Sequence, residues 1–211
     1  IDTEGLPTDD NTTTGTFADD TIKINETKTI QVNFTLRREH CPQVRLYNSN
    51  IPQCPSVKYL GVHMDSRVTW KDHVIKKRKQ IDLKTKELNW LFGRRSNLSI
   101  ENKVLLYKTI IKPIWAYGIE LWGCASKSNV SIIKKSRSKI LRIITNAPWY
   151  VNNQTLHTDL NIPYIKDVIR ERSTSHHNKL ANHPNDILQP LAEPQQNRRL
   201  RRYWPAELKE N

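Results

Sequence analysis

Along residues 28–36 the apolar side chains fall on alternate positions. Ile30, Val32, Phe34 and Leu36 share one face of an extended chain, the period of a half-buried β-strand. Upstream, residues 14–17 and 21–24 are two short β-prone runs around Ala18-Asp19-Asp20, which predicts a hairpin closed by an acidic turn. Residues 44–47 and 57–64 are further strand candidates, separated by Pro52 and Pro55. The rhythm then changes to the three- and four-residue spacing of helices. Residues 70–92 carry Val74, Ile81, Leu88 and Leu91 inward, with lysines on the remainder and Gly93 as the stop. Ser99 caps a second helix from Ile100, whose Val104, Leu105, Ile110 and Ile111 supply a wide buried face. Pro113 is expected to kink or end it, although the apolar pattern continues through Trp115, Tyr117, Ile119 and Trp122.

A third helix is predicted from near Asn129 to Thr145. Ile132, Ile133, Ile140, Leu141 and Ile144 face in; Lys134, Lys135, Arg137, Lys139 and Arg142 mostly face out. Ala147-Pro148-Trp149-Tyr150 interrupts the pattern, and helices near residues 154–160 and 165–181 follow. Beyond Asn182 the chain is rich in Pro, Gln and Arg, including Arg198, Arg199, Arg201 and Arg202, and is expected to be a disordered basic tail. The class is therefore α+β, with strands first and helices dominating the longer second part.

Composition narrows the function. The 211 residues carry a net charge of +13, unevenly placed: residues 1–36 hold seven acids and two bases, whereas residues 58–112 hold fourteen bases and five acids. An acidic start joined to a basic body points to a polyanion partner, nucleic acid before other candidates. Cys41, Cys54 and Cys124 are scattered, without the spacing of a disulfide framework or a zinc site, and read as reduced thiols. His176-His177 has no acidic or cysteine partner at ligand spacing. The chain opens on Ile1 with no signal-type apolar run and contains no apolar stretch of spanning length, so an intracellular setting and no membrane contact are expected.

Paired aspartates at a hairpin tip have a definite use. Successive strand side chains point to opposite faces, so a turn is needed to bring two carboxylates to one metal. Hard Mg²⁺ takes oxygen ligands and shares them with substrate phosphates, and two such ions about 3.5–4 Å apart stabilise both oxygens of a nucleotidyl transfer. An acidic turn alone is a common feature, and by itself leaves this use open.

Thr16-Phe17-Ala18-Asp19-Asp20-Thr21 is similar to the aspartate-pair box of reverse transcriptases, in the form found in jockey-type non-LTR retrotransposons. The resemblance continues in order through Val57-Lys58-Tyr59-Leu60-Gly61-Val62, then Asp65 and Val68-Thr69-Trp70. Further blocks are Leu98-Ser99-Ile100-Glu101-Asn102-Lys103, Lys112-Pro113-Ile114-Trp115-Ala116-Tyr117-Gly118, Leu121-Trp122-Gly123 and Thr145-Asn146-Ala147-Pro148-Trp149-Tyr150. It implies an RNA-directed DNA polymerase: residues 1–65 a palm remnant, 66–182 a helical thumb-like region, 183–211 the tail. Asp19 and Asp20 would be its catalytic metal ligands, and Tyr59, Leu60 and Gly61 its primer-grip turn. Lys76, Lys77, Arg78, Lys79, Arg94 and Arg95 are the candidate phosphate contacts of the thumb. The implied cofactor is Mg²⁺, or Mn²⁺ in its place; the implied partners are an RNA template, a DNA primer and dNTPs. The family implies a nuclear or cytoplasmic ribonucleoprotein location. The aromatic residues at 115, 117, 122, 149 and 150 could stack on bases, but their apolar surroundings favour core packing.

Two departures bear on activity. The strand with an earlier catalytic aspartate is expected before residue 1, so the metal site needs a ligand from outside this stretch. The residues after Asp20 also run almost directly into 22–29, which resembles the strand beyond a palm helix, with no counterpart of that helix between. The expectation is a polymerase fragment that does not synthesise DNA alone. The alternatives are a non-catalytic basic nucleic-acid-binding module and an element relic without function.

Overall fold

The computed structural model describes residues 16–17, 20–21, 29–35, 41–46, 49–185 and 187–188. The chain is of mixed α and β structure. Among the described residues, three two-stranded antiparallel ladders come first: β1 (Thr16–Phe17) with β2 (Asp20–Thr21), β3 (Arg45–Leu46) with β4 (Ser49–Asn50), and β5 (Ser56–Tyr59) with β6 (Val62–Asp65). In the first, Thr16 lies opposite Thr21 and Phe17 opposite Asp20. The hairpin expected around the aspartate pair is therefore present in its backbone pairing, with Asp20 inside a strand; Ala18 and Asp19 lie outside the described residues.

The alternating run at 28–36 does not form the expected strand. Over residues 29–35 its pairing is a single parallel bridge, Gln31 with Gln53, and Ile30 and Phe34 are exposed. Leu36 is outside the described residues. The segment lies along residues 52–54: Gln31 N–H donates to Pro52 O at 3.0 Å and Cys54 N–H to Gln31 O at 2.9 Å. Pro52 and Pro55 have no N–H to extend that ladder, so alternation alone could not become a sheet.

The run at 57–64 resolves into the β5–β6 hairpin. Leu60 (φ 45°) and Gly61 (φ 77°) form its two-residue tip, both in the left-handed region that such a turn requires. Gly61 carries the easier half; a β-branched side chain there would be strained and would press on the Tyr117 ring.

The helical body follows: α1 (Lys71–Glu87), α2 (Asn89–Phe92), α3 (Ile100–Leu106), a π-helical turn (Tyr107–Ile111), α4 (Lys112–Ala116), α5 (Ile119–Trp122), α6 (Lys127–Thr145), α7 (Asn153–Asp159) and α8 (Ile165–Ala181). Ser99 caps α3 as its position predicts, accepting the Asn102 N–H at 3.3 Å. The π turn answers Pro113. A proline inside a helix lacks a donor and crowds the carbonyl four residues back; here the backbone widens just before it, and Lys112 N–H reaches back to Tyr107 O. The chain thus passes Pro113 and ends α4 only at Ala116. Val104, Tyr107, Ile111 and Trp115, three or four residues apart, all turn inward, which leaves Leu105 exposed against expectation.

The core lies between α1 and α6 and is completed by α4, α5 and α8. Ile81, Phe92, Tyr107, Ile111, Trp115, Ile119, Trp122, Ile133 and Leu141 are essentially inaccessible. Trp115 and Trp122 are therefore core residues, as their surroundings predict. Arg137 faces in. It was expected to face out, yet it is 2% exposed. Its guanidinium lies 4.6 Å from the Trp115 ring centroid, Nε donates to Tyr107 Oη at 2.7 Å, and Nη2 donates to Pro163 O at 2.9 Å. With Ile133, Ile140 and Ile144 it makes a four-three-four stripe, so position outweighed charge. The tail from residue 189 onward lies outside the described residues.

Arg137→Ala removes the ring contact, strands the Tyr107 hydroxyl and opens a void. Stability should fall by about 2–4 kcal/mol, read as a lower urea midpoint at an unchanged slope.

Candidate nucleic-acid interface

The region where β5–β6 meets α1 gathers most of the chemistry. Asp65, at the end of β6, sets the join. Its carboxylate accepts the Thr69 N–H at 2.9 and 3.0 Å and the Trp70 N–H at 2.9 Å. These bonds hold Val68 (φ 50°) and Trp70 (φ 61°) in the left-handed region, which is uncommon for a β-branched or bulky residue and costs energy. The Trp70 indole N–H donates to Cys124 Sγ at 3.2 Å, and Asn129 Nδ2 donates to Thr69 O at 3.0 Å. The start of α1 is thereby fixed to both the hairpin and α6.

The hairpin tip is fixed from the other side. Tyr117 Oη donates to Leu60 O at 2.6 Å, and Val62 is buried beside Gly118, whose φ of 64° would strain any side chain and where a Cβ would stand 3.2 Å from Val62 Cγ2. Tyr59 and Leu60 project into solvent from this anchored backbone.

Into this crease α1 brings Lys76 and Lys77. Lys76 Nζ donates to His63 Nδ1 at 3.0 Å, and Lys77 Nζ stands 5.0 Å from the centroid of the Tyr117 ring. Burial and then the nearby Lys58 charge lower the Lys77 pKa. The His63 pKa is lowered by burial and then by Lys76, Lys58 and Lys77, with Asp72 acting in the opposite direction. Beneath them, His73 is fully buried. Its Nδ1 accepts the His63 N–H at 3.2 Å, which puts its proton on Nε2, and Nε2 has no partner among the described residues. Burial, then Lys77, His63 and Lys76, lower its pKa from 6.5 to about 4. This crease, the junction of β5–β6 with α1, gathers basic groups that repel one another, and a bound anion would relieve that repulsion.

The structure brings some predicted contacts together and separates others. Tyr59, Leu60 and Gly61 are at the tip, beside Lys76 and Lys77. Arg78 turns away and pairs with Asp82 at 3.3 Å, a half-exposed contact of small worth. Lys79 is exposed, one turn beyond Lys76. Arg94 and Arg95 are exposed beyond α2, past the far end of α1. Four consecutive helical residues cannot share a face, and this divides the basic run at 76–79. Lys58 and His63 were not among the sequence candidates; the visible signal was the β5–β6 alternation, which pairs them across the strands beside α1. Tyr117, expected in the core, is half exposed. The side chains of Asp19 and Asp20 lie outside the described residues. Among the described residues no group of three or more His, Cys, Asp or Glu is placed to hold a metal ion. No helix among them is long and apolar enough to cross a membrane.

Comparison with known proteins agrees with the sequence resemblance. The chain is 38% identical over 187 residues to the protein named "Probable RNA-directed DNA polymerase from transposon X-element" of Drosophila melanogaster, covering 89% of this chain and 21% of that one. It is 34% identical over 196 residues to the "RNA-directed DNA polymerase from mobile element jockey" of Drosophila funebris, with the same coverage. A relative from transposon BS of Drosophila melanogaster is 32% identical over 86% of this chain and 20% of its own length. The chain spans about a fifth of the length of these relatives. No family model and no solved structure matches it.

The buried imidazole makes stability depend on pH. Folded His73 takes up a proton only near pH 4, whereas the unfolded chain does so near 6.5, so its contribution is full above 6.5 and is lost as pH falls toward 4. Urea midpoints should drop across that window. His73→Asn, which keeps an acceptor for the His63 N–H without titrating, should flatten the drop even though it lowers stability overall.

Proposed function

We propose that this chain, a homologue of a segment of the jockey-type non-LTR retrotransposon RNA-directed DNA polymerases, holds the backbone of an RNA–DNA template–primer duplex in the crease between β5–β6 and α1. The observation that carries this is the convergence of Lys58, His63, Lys76 and Lys77 beside an anchored hairpin tip. In this reading residues 1–65 correspond to a palm and the helical body to a thumb. The lysines neutralise phosphates without reading sequence. The Leu60–Gly61 backbone, held by Tyr117, sets how closely the end of the primer strand approaches. Lys77 is kept over the Tyr117 ring, so one residue positions both the hairpin and a cation.

Nucleotide transfer in this reading belongs to Asp19 and Asp20, which would hold Mg²⁺ or Mn²⁺ for two-metal chemistry. The described residues do not supply a donor set for such an ion. Only seven residues separate Thr21 from Thr29, fewer than the dozen or more of a covering crossover helix. That spacing favours a chain that binds nucleic acid but does not polymerise by itself.

Lys76→Ala with Lys77→Ala should weaken binding to an RNA–DNA duplex by about tenfold at low salt, measured by fluorescence anisotropy, and Arg78→Ala by less than about twofold. Equal effects of the two variants would argue for a diffuse surface charge in place of this crease. In a primer-extension assay with Mg²⁺, the chain alone should incorporate no dNTP; incorporation lost on Asp19→Ala would show a competent polymerase.

A further inference from the structure

A second surface lies at the far end of α6, where the aromatic residues contradict the core packing expected of them. Trp149 is 89% exposed and Tyr150 is 72% exposed. They occupy the two corner positions of a turn in which Val151 N–H donates to Pro148 O at 3.2 Å. Turn corners ordinarily carry Gly, Asn, Asp or Ser, because such residues tolerate exposure and local backbone geometry. Two large rings presented to water there are costly, and an exposed apolar patch of this kind marks an interaction site.

The turn is built to hold them still. Asn146 ends α6 in the left-handed region (φ 53°). Ala147 N–H donates to Arg142 O and Asn146 N–H to Ile143 O, a Schellman-type closure. The Arg142 guanidinium then spans both ends of the turn. Nη1 donates to Pro148 O at 2.9 Å, and Nη2 donates to Val151 O at 2.7 Å and to Asn153 Oδ1 at 3.0 Å. Tyr150 packs edge-on to Trp149, with centroids 6.0 Å apart and planes at 80°, which steadies the indole. Lys135 and Lys139 fall on the α6 stripe that ends at Arg142, four and three residues apart, and both lysines are exposed. The stripe covers about 10 Å of helix axis.

We propose that this turn is a stacking platform for an unpaired base of a single-stranded nucleic acid, with its backbone running along the Lys135–Lys139 stripe. Aromatic faces beside a track of cations are the recurring solution for single-strand binding, since every base has a face to stack and every phosphate a charge to meet. A duplex offers no free base face along its length, so the platform discriminates strand state, not sequence. This site is separate from the crease between β5–β6 and α1 and does not require it.

The test uses the whole chain and a labelled oligothymidine of about fifteen nucleotides, with a blunt RNA–DNA duplex for comparison. Trp149→Ala with Tyr150→Ala should weaken oligothymidine binding by about tenfold or more and duplex binding by less than about twofold. Trp149→Phe keeps a stacking face, so it should retain most of the affinity while losing most of the tryptophan quenching. Lys76→Ala with Lys77→Ala should leave that quenching in place, which separates this site from the duplex site. Unchanged oligothymidine binding in the double aromatic variant, or equal loss for both ligands, would overturn the proposal. So would self-association of the chain that the same variant abolishes while oligothymidine binding stays intact, since the face would then belong to a second copy.

Discussion

Arg137 carries a full positive charge into the interior, and among the described residues no carboxylate pairs with it. Desolvation of an ion is costly, so the surroundings must replace the water it loses. Three elements do so: the face of Trp115 from α4, the hydroxyl of Tyr107 from the π turn, and the carbonyl of Pro163 from the link between α7 and α8. Each partner comes from a different stretch of chain, and all must be in place together. The π turn is part of the same constraint, because widening the helix before Pro113 keeps Tyr107, Ile111 and Trp115 on one inward line.

The surface chemistry follows from this interior. With Trp115 and Trp122 held inside, the intervening Tyr117 leaves the helix in extended conformation, and its hydroxyl reaches the Leu60 carbonyl. Gly118 turns the chain back at positive φ and makes room for Val62. The hairpin is thereby set against α1, and Lys58 and His63 come beside Lys76 and Lys77. At the other end of the body, α6 finishes in a closed turn that puts its aromatic residues outside. A single packing arrangement generates both surfaces, and neither has paired its charge among the described residues.

How much was legible in the sequence varied by element. Residues 165–181 emerged with their expected bounds as α8, and Ser99 capped α3, because apolar spacing and capping chemistry are local. The third helix began two residues earlier than its apolar run suggested, since Ser126 supplies the cap. Alternation at Ile30, Val32 and Phe34 misled because a strand needs a neighbour with free N–H groups, which prolines at 52 and 55 deny it. Arg137 was misplaced because charge was weighted above its position in the stripe. The site was half legible. The tip residues Tyr59, Leu60 and Gly61 and the lysines Lys76 and Lys77 stood among the sequence candidates, but Lys58, His63 and Tyr117 join them only through contacts across distant parts of the chain. Trp149 and Tyr150 were assigned to the core because they border an apolar run, whereas the geometry of their turn points them into solvent. The resemblance to the jockey-type transposon polymerases was the most legible feature, and the aspartate pair that first suggested it lies where no side chain is described.

The central claim is that a basic crease binds nucleic-acid backbone by neutralising phosphates, and its direct measure is the salt dependence of duplex affinity. With about three lysines engaged, the logarithm of the association constant should fall with the logarithm of salt at a slope near −3, and the slope should shrink by about two when Lys76 and Lys77 become alanine. A slope near zero, or one that the double variant leaves unchanged, would contradict the account.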